Sequence, residues 1–447
     1  MYFDQSIETL PQSQLRQLQS DRLKKLVKYV YERVPFYKNK WDEAGIHPDQ
    51  IKGIEDLHRL PFTLKTDLRD TYPFGMFAVP MDEVGRIHCS SGTTGKPTVV
   101  GYTKNDLDLF AEVNARSLAA AGARPGMMLH NAYGYGLFTG GLGLHAGAER
   151  LGMNVIPVSG GMTDRQLMIL QDFGPEVICC TPSYAQRLTE EIRKRNIPVD
   201  SLNLKYAVLG AEPWTEVIRH EVEKGLNIQA TNIYGLSEII GPGVSQEAVE
   251  ERGTGSHVWE DHFFPEIVNP DTGEVLPEGK DGVLVFTTLT KEAFPVIRYW
   301  TNDICSLYYD RDSQRTHIKM GQIKGRADDM LIIRGVNFFH TQVEALIEDI
   351  PHLAPHYQVI VSREGAMDQV EIKIELDPDY QKETLPAISA EDNLSNQENI
   401  RQLTNHLAKK IKDNIGITMK VEIKPGNSIP RSEGGKLSRV VDLRKGK

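Results

Sequence analysis

An α/β fold is predicted by three features of the sequence. Strand-like and helix-periodic stretches alternate from residue 98 to 240. Turn-rich β runs replace that alternation at 253–310, and a second α+β pattern follows Gly325. Alternation of strands and helices implies a parallel sheet with helices on its faces. The expected architecture is a large N-terminal domain, residues 1–327, with parallel sheets flanked by helices plus a β-rich subdomain. A small α+β C-terminal domain, residues 328–447, completes it.

Each element has its own signal. Leu15, Leu18, Leu23, Leu26, Val30 and Val34 recur at helical spacing in 10–35, with Arg, Lys and Gln between them, and Pro35 ends that amphipathic helix. Residues 41–80 are broken by Pro48, Pro61, Pro73 and Pro80 and read as short helices and loops. Two strand-like runs, 84–87 and 98–102, flank a Gly-rich loop. A helix at 104–121 carries Leu107, Phe110, Val113 and Leu118 on its apolar side. Strands at 127–131, 155–158, 177–180, 206–209 and 228–233 then alternate with helices at 138–152, 164–173, 183–194 and 216–225. Turn signals at 253–255, 270–273 and 277–282 mark the β-rich subdomain. The C-terminal unit reads as a helix at 341–350, strands near 357–362 and 369–376, a solvated polar insert at 380–398, a helix at 399–415 and a strand at 418–424.

Composition is that of an ordinary soluble protein: 447 residues, 40% hydrophobic and 25% charged. A net charge of −10 argues against a nucleic-acid binder. No apolar run approaches a membrane span, and the N-terminus carries no basic region followed by an apolar core, so a cytoplasmic protein is expected. The four cysteines show no zinc-type pairing; Cys179-Cys180 read as strand filler. His88, Cys89, His257 and His262 make a metal set only if the fold joins them, and their spacing gives that no support.

The stretch with most chemistry is His88-Cys89-Ser90-Ser91-Gly92-Thr93-Thr94-Gly95-Lys96-Pro97-Thr98. Backbone N–H groups of a Gly-rich turn can converge on an anion. The hydroxyls add donors and Lys96 a compact positive charge, a set that suits a polyphosphate. Gly92 and Gly95 are too close for the common G-x-x-x-x-G-K-[ST] loop. In open α/β sheets, ligands gather at the carboxyl ends of strands. Thr181-Pro182, Gly210–Pro213 and Tyr234–Glu238 each follow a predicted strand, which points to one shared site.

Ser90–Thr103 resembles the phosphate loop of the acyl-adenylate-forming enzymes, especially the phenylacetate–coenzyme A ligase branch with its coenzyme F390 synthetase-like members. Gly210–Pro213, Tyr234–Glu238, Arg298–Asp303, Gly325–Asp329 and Gly434–Lys436 continue the resemblance in the family's order, over nearly the whole chain. It implies attack of a carboxylate on the α-phosphate of ATP, giving an acyl-adenylate and pyrophosphate. A thiol, usually that of coenzyme A, then displaces AMP. Chemistry of this kind depends on charge neutralisation and in-line positioning rather than on a covalent nucleophile.

By resemblance, Ser90, Ser91, Gly92, Thr93, Thr94, Gly95 and Lys96 cradle phosphates. Gly210, Ala211, Glu212 and Pro213 approach adenine, and Tyr234, followed by Gly235, stacks on it. Glu238 holds Mg²⁺, for which one protein carboxylate suffices, and Ser237 donates to the α-phosphate or the substrate carboxylate. Asp303 accepts the ribose hydroxyls and Arg326 contacts ribose or phosphate. Thr301-Asn302-Asp303 stands where the family usually has Thr-Gly-Asp or Thr-Arg-Asp, and Trp300 occupies a position often basic in this branch. Asp328 matches a hinge, and the C-terminal domain is expected to rotate there. Gly335 then lines the pantetheine tunnel, and Lys436 is the adenylation lysine. Tyr135, Phe138, Gly140 and Gly141, with Ile239 and Pro242 opposite, form the acyl pocket; rings among glycines suit a planar guest. Trp259, Glu260, Asp261 and His262 resemble a stretch of this branch but suggest no chemical role.

The expected activity is ATP-dependent ligation of an aryl acid, such as phenylacetate, to coenzyme A, in a homodimer with no nucleic-acid or membrane partner. An adenylating enzyme with another acceptor and an idle nucleotide-binding homologue are the alternatives. Lys96, Glu238, Asp303 and Lys436 all being present speaks against the last.

Overall fold

A nine-stranded sheet forms the centre of the first part of the chain, and the carboxyl ends of its parallel strands carry Gly210 and the turn with Ser237 and Glu238. The computed structural model describes residues 1–90, 97–327, 331–333, 336–338, 340–347, 350–364, 367–385, 394, 397–431 and 439–445. The chain divides into two units. One is built from Met1–Ala211 and Val222–Ile323, the other from Glu212–Glu221 and the described residues after Ile323.

In the first unit the strands are β1 (Arg86–Cys89), β2 (Val99–Tyr102), β3 (Met128–Asn131), β4 (Asn154–Ile156), β5 (Val177–Cys180), β6 (Tyr206–Gly210) and β7 (Gln229–Leu236). They continue as β8 (Gly241–Gln246), β9 (Ser256–Val258), β10 (Phe263–Val268), β11 (Gly282–Thr288), β12 (Tyr299–Cys305), β13 (Leu307–Tyr308) and β14 (Lys319–Met320). The large sheet has the order β13-β14-β9-β8-β7-β6-β5-β3-β4. Its pairs from β4 to β7 are parallel, as the alternation predicts. From β7 to β13 the pairs are antiparallel. The β strands expected at 253–310 divide between two sheets: β9 and β13 extend the large sheet, while β10, β11 and β12 pair in another.

The predicted N-terminal helix spans Gln12–Arg33 and buries Leu15, Leu23, Leu26, Val27 and Val30. Pro35 also opens a second helix, Pro35–Glu43, where a missing N–H costs nothing. Helix Lys104–Ala120 begins with a reciprocal cap between Thr103 and Asp106. It explains the glycines of helix Gly140–Leu151. A Cβ on Gly143 would lie 2.2 Å from the Phe110 ring, and one on Gly147 2.3 Å from the Asn114 Cβ. One apolar core joins the N-terminal helices to Phe263, Phe286, Ile297 and Tyr299. A second gathers Leu118, Leu129, Leu144, Val177 and Val208.

The second unit contains β15 (Gly325–Arg326), a hairpin of β16 (Leu331–Ile333) and β17 (Val336–Phe338), and helix His340–Ile347. A four-stranded sheet follows from β18 (Leu353–Glu364), β19 (Met367–Leu376), β20 (Lys420–Lys424) and β21 (Val440–Asp442), in the order β20-β19-β18-β21. Helix Glu398–Ile415 buries Ile400, Leu407, Ile411 and Ile415 along one stripe. The insert expected at 380–398 is not wholly a loop. Helix Pro378–Thr384 occupies its start, with Asp377 accepting from the N–H groups of Asp379 and Tyr380 at 2.9 and 3.0 Å. Leu394, expected in solvent, is buried in the core of this unit. Among the described residues no helix is long and apolar enough to cross a membrane.

Candidate active site

Parallel registry brings the carboxyl ends of β3, β5, β6 and β7 to one edge, where Asn131 lies beside Cys179, Cys180 beside Leu209, and Gly210 beside Ile233. Gly210 must be glycine there, because a Cβ would come within 2.1 Å of the Ile233 carbonyl oxygen. Ala211 turns the chain away with φ +70°.

Tyr234 and Gly235 lie inside β7, not after it. The strand continues past Ile233 through a register shift at Tyr234/Gly235 opposite β8. A Cβ on Gly235 would lie 1.8 Å from the Gly241 carbonyl oxygen, so only glycine allows this close approach. The Tyr234 ring stacks on Phe286, centroids 6.2 Å apart. Its hydroxyl donates to Asp303 Oδ2 at 2.6 Å. Asp303 is buried on β12, and its backbone N–H donates to Thr301 Oγ1 at 3.0 Å. The adenine and ribose candidates are thus joined directly. Asn302 takes φ +69°, and its Oδ1 accepts the Trp300 indole N–H at 2.9 Å. The two departures from the family pattern bond to each other.

The turn between β7 and β8 carries Ser237 and Glu238, both buried. Ser237 Oγ lies 3.3 Å from Thr139 Oγ1. Among the described residues no hydrogen bond or ion pair occupies the Glu238 carboxylate, although the side chain is only 7% exposed. A carboxylate in a largely buried turn that no protein group engages is open to a cation. Glu238 therefore fits a hard divalent cation such as Mg²⁺, which takes one or two carboxylates and fills its other positions with phosphate oxygens and water. Tyr102 anchors this turn, its hydroxyl donating to the Ile240 carbonyl at 2.8 Å.

The glycine-rich segment after β3 is tied to β1. Leu137 carbonyl accepts from the Cys89 backbone N–H at 2.9 Å and lies 3.0 Å from His88 Nδ1. Burial pushes the His88 pKa down. Ser90 is the described residue of the expected phosphate loop: its Oγ accepts the Thr98 N–H at 3.0 Å, and its N–H donates to the Thr98 carbonyl at 2.9 Å. Tyr135 Oη accepts from Asn131 Nδ2 at 2.8 Å and lies 3.1 Å from His145 Nδ1. Burial pushes its phenol up to about 12. Gly141 leaves room for the Gly134 carbonyl, 2.6 Å from where a Cβ would stand, and Gly140 for the Phe138 ring at 3.0 Å. Phe138 is 36% exposed, Pro242 half-buried, and Ile239 fully buried in the main core.

Ser91, Gly92, Thr93, Thr94, Gly95, Lys96, Asp328, Gly335 and Lys436 lie outside the described residues. Glu212, Pro213 and Arg326 belong to the second unit. There Arg431 grips the buried Glu375 at 2.7 and 2.9 Å, five residues before Lys436. The fold sends His88 and Cys89 to the Leu137 carbonyl, His257 to Glu251 and the His317 carbonyl, and His262 to Asp261 and Thr290. No group of three or more His, Cys, Asp or Glu suited to a metal occurs among the described residues. The Trp259–His262 stretch proves structural. Asp261 binds the buried Arg116 at 2.9 and 3.1 Å, Glu112 closes on the same guanidinium, and Trp259 Nε1 donates to Ser117 at 3.2 Å.

Sequence reasoning did not single out Thr139, Asn131 or Lys291. The first two sit among the glycines already noted, where polar side chains could have been marked as partners. Lys291 is a buried lysine whose only signal is its place in Leu289-Thr290-Lys291-Glu292-Ala293-Phe294 after a strand.

Comparison with known proteins identifies the family. The model of the AMP-binding enzyme family matches residues 10–289, and that of the AMP-binding enzyme C-terminal domain matches 335–444. A phenylacetate–coenzyme A ligase of Thermus thermophilus is 64% identical over 446 residues, covering 100% of both chains. One from Escherichia coli is 51% identical over 439 residues, covering 98% of this chain and 97% of the other. A solved 2-hydroxyisobutyryl-CoA ligase in the postadenylation state, in complex with 2-HIB-AMP, superposes with a TM-score of 0.90 at 28% identity, over 99% of this chain and 93% of that one. Full-length identity at this level, together with the motifs on the sheet edge, makes this chain a member of the AMP-binding, acyl-adenylate-forming enzyme family, in its phenylacetate–coenzyme A ligase branch.

Proposed function

We propose that this protein activates an aryl carboxylic acid, phenylacetate or a close relative, with ATP and transfers the acyl group to coenzyme A. The observation that carries the reading is the junction of Tyr234, Asp303, Ser237 and Glu238 on β7, its turn and β12, beside the aromatic loop after β3. Asp303, oriented by the Tyr234 hydroxyl, would take the ribose, and Ser237, oriented by Thr139, would donate to the α-phosphate or the acid. Glu238 would hold Mg²⁺, which offsets polyphosphate charge during adenylation. The phosphate loop from Ser90 to Lys96 would bind the departing pyrophosphate. Tyr135 and Phe138 would face the ring of the acid.

Rotation of the C-terminal domain about Asp328 would exchange Lys436 for Gly335 at the site between the two half-reactions. We infer a cytoplasmic homodimer. The test is pyrophosphate release over a panel of carboxylic acids, with thioester formation followed with and without coenzyme A. Acyl-adenylate that accumulates and is never consumed by coenzyme A would favour another acceptor. Absence of pyrophosphate release with every aryl acid would defeat the reading.

A further inference from the structure

Lys291 lies three residues after β11 and is 2% exposed, and its ammonium has no hydrogen-bond partner among the described residues. It sits 4.7 Å from the centroid of the Tyr102 ring and 5.3 Å from that of Phe294. A buried cation without partners is expensive, and rings offset only part of that cost. Its place is nevertheless enforced. Asp106 accepts the backbone N–H groups of Glu292 and Ala293 at 2.7 and 2.8 Å, and that of Thr103 at 3.0 Å. Glu292 in turn accepts from Thr103 Oγ1 at 2.7 Å and Asn105 Nδ2 at 3.0 Å. The two residues after Lys291 are thus clamped to the start of helix Lys104–Ala120.

The charges facing this ammonium are the carboxylates of Asp106 and Glu238, and it opposes protonation of His88 on β1, as does Arg86. Asp106 is already solvated by three N–H groups, whereas no hydrogen bond engages Glu238 among the described residues. Burial pulls the Lys291 pKa down to about 8, with both carboxylates opposing. The same Tyr102 whose ring carries the ammonium holds Ile240, two residues beyond Glu238.

We propose that Lys291 is a positioning residue that acts through Glu238: its fixed charge disfavours a free divalent cation at that carboxylate and favours the polyphosphate, so that metal and nucleotide enter together. This rests on the reading of Glu238 as the metal carboxylate. Loss of one positive charge acts oppositely on a cation and an anion, whereas a packing defect weakens both.

The experiment measures Mn²⁺ binding to the nucleotide-free enzyme by electron paramagnetic resonance, and ATP binding in EDTA by calorimetry. Lys291→Met should tighten Mn²⁺ and weaken metal-free ATP, each on the order of tenfold. Lys291→Arg should stay near wild type in both. Should Lys291→Met fail to fold, Lys291→Gln is measured in its place. Shifts of the same sign for both ligands, or no shift in either, overturn the proposal. Glu238→Gln separates the two readings. If it leaves Mn²⁺ binding unchanged, the metal assignment of Glu238 fails. The ATP measurement then decides on Lys291, whose charge role is supported by weakened binding and overturned by unchanged binding.

Discussion

Tyr234→Phe removes a single oxygen and leaves the ring stacked on Phe286. The lost contact is the 2.6 Å bond to Asp303, a buried carboxylate. A hydrogen bond to a charged group contributes about 1.5–3 kcal/mol. Part of that falls on folding and part on the orientation of Asp303 toward ribose hydroxyls. If half reaches nucleotide binding, the KM for ATP rises about four- to tenfold, since 1.4 kcal/mol is a factor of ten. The whole would raise it about ten- to a hundredfold. Ribose contacts hold substrate and transition state alike, so kcat should change little. Pyrophosphate release at saturating acid with ATP varied separates the two constants, and thermal unfolding reports the stability share. An unchanged KM with lowered stability would make the bond purely structural. A loss in kcat alone would place the hydroxyl in the chemistry and refute the orienting role.

Glu238→Ala should lower adenylation by about 10²–10³, the usual effect of one electrostatic group in such a site; near-normal pyrophosphate release at saturating Mg²⁺ would sink the assignment. Lys436→Ala should cut acyl-adenylate formation by a similar or larger factor, about 10³. Thioester formation from supplied acyl-adenylate should stay near wild type, and equal loss of both steps in a folded variant would contradict a half-reaction-specific lysine. Asp261→Asn leaves the buried Arg116 under-neutralised and should cost about 3–5 kcal/mol in denaturant unfolding. Burial opposes the charge of Asp261, but His262 and Arg116 prevail and hold its pKa well below the usual range. Its contribution is therefore complete above the unfolded value of about 4 and is lost as pH falls through the folded value, a slope that Asp261→Asn should flatten.

The parallel half of the large sheet was legible because each strand there is followed by a helix of recognisable period. The antiparallel half was not: β9, β13 and β14 are three, two and two residues long, too short for any alternation to register. Tyr234 read as lying beyond its strand because Gly235 looks like a turn residue. In the structure that glycine keeps the strand going, by admitting the Gly241 carbonyl. Helix Pro378–Thr384 lacks an apolar stripe, so its Asp-Pro start was the one cue, and it sat inside a polar run. Site residues with a motif around them could be named one by one. The bonds between them, Tyr234 to Asp303 and Thr139 to Ser237, span 69 and 98 residues and leave no local trace.

The pair Trp300 and Asn302 carries that point to a test. Position by position, the sequence holds two separate departures beside Asp303. In the structure they are one unit: residues two apart on β12, with the indole N–H donating to Asn302 Oδ1 at 2.9 Å. Asn302 also adopts φ +69°, a left-handed conformation that asparagine tolerates better than most residues. Asn302→Gly keeps that backbone and removes the acceptor. Trp300→Phe removes the donor and keeps a ring against Phe62, whose centroid lies 5.0 Å away. Each single change should cost about 1 kcal/mol through the hydrogen bond, with further loss from the smaller ring in Trp300→Phe. The double variant should then lose less than the sum by about 0.5–1.5 kcal/mol, because the bond can be broken only once. The same cycle run on the KM for ATP should show coupling of the same sign, since Asp303 follows Asn302 directly. Additivity to within about 0.5 kcal/mol in stability would mean that the two departures are independent after all.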